Sequence, residues 1–119
     1  MSETEVVVVL VSGPDMATLE ELATRIVDEG LVACANLIPR VRSVYRWDGE
    51  VHQDDETLAV LKTTRPAIEA LRDRVHELHP YELPEFLVLP VDSGSDAYLG
   101  WVVGCVTHTP EGREADGQT

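Results

Sequence analysis

Apolar residues fill the chain from Val6 to Val11 without a polar interruption, and so short a β-branched and aliphatic run reads as a strand covered on both faces. Ser12-Gly13-Pro14-Asp15 then breaks it. Beyond the break, Leu19, Leu22, Ala23, Ile26 and Val27 recur at helical spacing until Gly30, with Asp15 placed to cap the helix and Glu20 and Glu21 early in it. From Leu31 to Ile38 the chain is apolar again. After Pro39 it alternates, Val41, Ser43, Tyr45 and Trp47 on one face and Arg40, Arg42, Val44 and Arg46 on the other, which predicts a long second strand with a bulge at the proline.

Asp48-Gly49 is a dipeptide suited to a two-residue hairpin turn, so a third strand returns through Val51 to Thr63. Fully extended, Ala33 to Trp47 would reach roughly 50 Å, against a radius of gyration near ~13 Å for a domain of this size. The hairpin must therefore bend sharply or leave its own subunit. Its unpaired edges and its exposed Tyr45 and Trp47 are best covered by another copy of the chain, which predicts a homo-oligomer.

Thr64-Arg65-Pro66 opens a second helix whose Ile68, Leu71, Val75 and Leu78 share one face, and His79-Pro80 ends it. A fourth strand follows over Glu85 to Val91, and after Ser93-Gly94-Ser95 a short amphipathic helix holds Tyr98, Leu99, Trp101 and Val102. The order β-α-β-β-α-β with a terminal helix defines an α+β, ferredoxin-like sandwich. Its helices cover one sheet face; the other must also be buried, since Val6 to Val11 is apolar throughout, and a partner subunit is the natural cover. Residues 1–108 are expected to form one domain, and the polar, acidic stretch 109–119 a disordered tail.

Composition narrows the partners. With 22 acidic against 9 basic residues and a formal charge of −13 over 119 residues, the surface repels phosphate backbones and anionic lipid, so neither nucleic acid nor membrane is an expected partner. Two cysteines, Cys34 and Cys105, lie far apart without CxxC spacing, which indicates neither a zinc ribbon nor a disulfide scaffold. The acidic start lacks the basic flank of a signal peptide, and no apolar run reaches membrane-spanning length; the expected location is the cytoplasm. No GxGxxG, P-loop or HExxH motif supports nucleotide or zincin chemistry.

Three places could carry chemistry. His79-Pro80-Tyr81-Glu82-Leu83-Pro84-Glu85 is a stiff loop, its prolines fixing φ, and reads either as a rigid turn or as a mount for an imidazole, a phenol and carboxylates. Cys34, in an apolar strand, is either a small buried hydrophobe or a soft metal ligand if His79 lies nearby. Lys62 is the only lysine in the chain; it either binds a small anion as a point charge or pairs with a carboxylate such as Glu82.

Taken together, several ordered motifs closely resemble the CutA divalent-cation tolerance family: Pro14-Asp15, Leu31-Val32-Ala33-Cys34-Ala35-Asn36, Ser43-Val44-Tyr45-Arg46-Trp47 with Gly49, Lys62-Thr63-Thr64, the His79–Glu85 loop, and Tyr98-Leu99 with Trp101. The resemblance implies a tight, PII-like homotrimer without an established catalytic reaction, linked to tolerance of copper and other divalent cations, with animal relatives linked to acetylcholinesterase anchoring. It implies Cys34 and His79 as metal contacts, and since two ligands are an incomplete sphere, Glu82, water or a neighbouring chain is expected to supply the rest. Tyr45, Trp47, Lys62, Thr63 and Tyr81 are implied to line an intersubunit cleft. No cofactor is obligatory, though copper or another divalent cation is a possible ligand. Some relatives carry cysteines that this chain lacks.

Overall fold

The computed structural model describes residues 4–107, so the expected tail at 109–119 lies outside the described residues. Strand β1 (Val6–Gly13) runs into helix α1 (Met16–Asp28), then come β2 (Cys34–Trp47), β3 (Glu50–Thr64), a 3₁₀ turn (Arg65–Ala67), α2 (Ile68–Leu78), β4 (Leu87–Pro90) and α3 (Asp96–Cys105). The strands form one antiparallel sheet in the order β2-β3-β1-β4. This is the split βαβ arrangement that the hydrophobic pattern predicts.

Local chemistry sets most boundaries. Asp15 accepts a 2.8 Å hydrogen bond from the amide of Thr18, and this bond holds its carboxyl below the ordinary value. Because α1 begins at Met16, Glu20 and Glu21 fall beyond its first turn, and the early acidic placement expected of them is not realised. Just past the end of the helix at Asp28, Gly30 takes a φ of 76°, a left-handed conformation that glycine adopts at least cost. Pro66 stands in a 3₁₀ turn, and α2 proper starts only at Ile68. Strand β4 is shorter than the expected Glu85 to Val91 stretch, running only from Leu87 to Pro90. Phe86, just ahead of it, packs partly buried against the main core.

The hairpin behaves as its turn residues demand. Asp48 (φ 56°) and Gly49 (φ 81°) both take the left-handed region that a type I′ turn requires, and Trp47 faces Glu50 across it. The bulge falls between Ile38 and Val41, where Pro39 and Arg40 on β2 face the single residue Thr57 on β3, and Arg40 takes a φ of 62°. The hairpin stretches the molecule to 47 × 31 × 23 Å, with a radius of gyration of 15.2 Å.

Helices α1 and α2 cover one sheet face, burying Val7, Val9, Val11, Ala59 and Leu61 with Leu19, Ile26, Leu71 and Val75. The opposite face is nearly bare. Only α3 reaches it, packing Val102 with Val6 and Ala33 at one end. Beyond that, Val8, Leu10, Leu58 and Val60 stay half-buried, while Ile38, Leu87 and Leu89 are 45%, 54% and 44% exposed. Helix α3 differs from the amphipathic expectation: Val102 alone is buried, and Tyr98, Trp101 and Val103 are exposed around its circumference.

Candidate functional site

The residues singled out in the sequence divide into two groups at opposite ends of the sheet. At one end, Cys34 pairs with Lys62, which pairs in turn with Val8. Alternation along the strands turns all three toward the bare face. Lys62 Nζ lies 3.9 Å from Cys34 Sγ and also donates to Asn36 Oδ1. The hydroxyl of Tyr98, carried in by α3, stands 3.8 Å from the same sulfur, and this contact raises the phenol above its ordinary value. Among the described residues no carboxylate forms an ion pair with Lys62, so its expected alternative partner Glu82 is not one.

At the other end, His79 caps α2, its amide donating to the Val75 carbonyl at 2.8 Å. The side chain is buried, with Nε2 2.7 Å from the Ser12 carbonyl and Nδ1 3.1 Å from the amide of Tyr81. A carbonyl partner requires the proton on Nε2, and an amide partner requires the lone pair on Nδ1. Both ring nitrogens are therefore committed to the backbone. Ser12 lies four positions along β1 from Val8, about 13 Å by strand rise. The single chain thus does not bring His79 to Cys34. Glu82 is exposed on the loop beyond.

Tyr81 donates to Glu56 Oε2 at 2.6 Å, and its phenol is raised well above the ordinary value, first by burial and then by that bond. Tyr45 donates to Asp54 and stacks on His52, with ring centroids 5.6 Å apart. Its phenol is likewise raised, chiefly by the bond to Asp54. Tyr45 and Tyr81 thus bond to Asp54 and Glu56, which stand two positions apart on β3. Trp47 lies further out, beside the turn, and is 51% exposed.

Thr63 requires correction. It is fully buried and its hydroxyl donates to the Leu31 carbonyl at 2.7 Å, so it braces the helix-covered side instead of lining a cleft. Sequence reasoning missed Asn36, Tyr98, Asp54 and Glu56. Asn36 was readable as the next residue on the face of Cys34, and Asp54 follows from counting pairs back from the Asp48-Gly49 turn. Nothing in the sequence alone places Tyr98. Among the described residues no three His, Cys, Asp or Glu side chains gather as a metal-binding set.

These features define a ferredoxin-like domain with an oversized hairpin and one uncovered apolar face. A family model described as CutA1 divalent ion tolerance protein matches residues 7–105, and the chain belongs to that family. It is 46% identical over 98 residues to the divalent-cation tolerance protein CutA of Salmonella newport, covering 82% of this chain and 85% of that one. The solved structure of the divalent cation tolerance protein from Thermus thermophilus superposes with a TM-score of 0.83 at 40% identity, covering 85% of this chain and 98% of that one. A relative from Archaeoglobus fulgidus, described as periplasmic, gives 0.82 at 26% identity over 85% and 98%. Among the described residues no helix is long and apolar enough to cross a membrane.

Proposed function

We propose that the chain serves divalent-cation tolerance as a cytoplasmic, non-catalytic homotrimer of PII-like architecture that takes up copper or a similar cation weakly and reversibly. The observation that carries the assembly is the bare sheet face, where Ile38, Leu87 and Leu89 stand 45%, 54% and 44% exposed. Apolar surface of this extent favours association with a like surface. Cys34 lies on the same face and supplies a soft sulfur, but one subunit offers an incomplete coordination sphere. A neighbouring copy supplies the remaining donors, with the exposed carboxylate of Glu82 a candidate. Light scattering tests the assembly, and a stable monomer at micromolar concentration would defeat it. Calorimetric titration with Cu(I), Cu(II) and Zn(II) on wild type and Cys34→Ala tests the cation, and equal binding by both proteins counts against Cys34.

A second reading, a PII-like sensor of a small anion, is favoured by one observation: the Lys62 ammonium has no carboxylate partner among the described residues. Titration of wild type and Lys62→Ala with inorganic phosphate and small carboxylates separates it from the first.

A further inference from the structure

Strand β2 bonds to β3 along one side only, so over Cys34–Ile38 its other backbone edge is open. Between this part of β2 and α1 runs an open groove of about 450 Å³. Its floor is apolar, with Ala35 and Leu37 from β2 and Ala23 and Val27 from α1, and Val27 is 40% exposed. Glu20 and Asp28 rim it, both exposed and neither in an ion pair among the described residues. Among the described residues no basic side chain lines the groove. Ala35 and Leu37 pack toward the helix-covered core, so association of copies through the bare face leaves the groove on the outer side of the sheet.

An unpaired strand edge beside a helix is where an extended peptide adds as a further strand, its alternate side chains entering the groove. Glu20 and Asp28 lie on the same side of α1, about 12 Å apart by helical rise. A strand covers that span in about four residues. We propose that this groove docks an extended segment of a protein partner, in which an apolar side chain is flanked two positions to either side by arginine or lysine. The apolar side chain rests on Val27 and Leu37 while the basic pair meets the two carboxylates. The chain's own C-terminal segment is the wrong charge for the groove. It starts nearby, where the Thr107 amide donates to the Gly30 carbonyl at 3.0 Å, but beyond it Glu111, Glu114 and Asp116 outnumber Arg113. A second copy, itself carrying a formal charge of −13, is a poor match on the same ground.

The test is fluorescence anisotropy with the full-length protein and a labelled synthetic heptapeptide that has a central valine, arginine two positions to either side and threonine elsewhere. Two control peptides replace both arginines by glutamate or scramble the same composition. The expected result is saturable binding of the first peptide and roughly tenfold or weaker binding of either control. The double variant Glu20→Gln with Asp28→Asn should lose roughly three- to tenfold in affinity. Val27→Arg should abolish binding while keeping native circular dichroism and the wild-type assembly in light scattering. No binding of the first peptide would overturn the proposal. Equal binding of the scrambled peptide would overturn it too, as general attraction by an acidic surface. Dissociation of the assembly in Val27→Arg would give the groove to a neighbouring copy instead of a partner.

Discussion

The phenol of Tyr81 donates to Glu56 at 2.6 Å and so ties the proline-bracketed loop after α2 to β3 beside the bulge. Tyr81→Phe should cost about 1–2 kcal/mol, read from urea denaturation. The sign of the pH effect follows from the raised phenol: its contribution is fully present below the ordinary tyrosine value of 10.0 and is lost as pH rises from there through the raised one. The alkaline limb of the stability profile should therefore flatten in Tyr81→Phe. An unchanged limb would show that the bond adds nothing.

His79 holds two backbone groups from a buried position, Ser12 on β1 and Tyr81 in its own loop. His79→Ala should destabilise the fold by about 2–4 kcal/mol, because both partners lose a bond and a cavity opens. Its folded fraction should bind Cu(I) as tightly as wild type. A selective loss of metal affinity with full stability would reassign the imidazole to the metal.

Leu89 pairs with Val8 at the centre of the bare face. Leu89→Glu should leave the subunit fold intact by circular dichroism and shift the assembly toward monomer in light scattering, since an unpaired carboxylate does not tolerate burial between copies. An unaltered oligomer would place the interface elsewhere.

Arg74 joins α2 to α1 through a bidentate pair with Glu29, at 2.9 and 2.8 Å. That bond lowers the Glu29 carboxyl below its ordinary 4.5, so the stabilisation is present above that value and is lost as pH falls through the lowered one. Glu29→Gln should cost about 0.5–1 kcal/mol at neutral pH and little in acid, once the wild-type carboxyl is protonated. A cost that persists in acid would point to packing instead of charge.

Much of this was legible in the chain. The unbroken Val6–Val11 run, the Asp15 cap, the break at Pro39 and the Asp48-Gly49 turn each act through neighbouring residues, so local pattern sufficed. The site was harder because it depends on contacts between distant positions. Cys34 meets Tyr98 only because α3 folds back over the bare face, and His79 meets Ser12 only because α2 returns beside β1. Thr63 sits beside Lys62 in sequence yet points to the opposite face, a parity that motif likeness does not reveal.

The bulge at Pro39 and Arg40 divides β2 into two independently phased segments. Inside it, alternation is fixed by the core. Outside it, Tyr45 and Trp47 take their facing from the turn. Lengthening the hairpin by matched pairs of residues would thus move its tip outward and leave the core register untouched, which makes the outer arm a ruler whose length can be reset without refolding the domain.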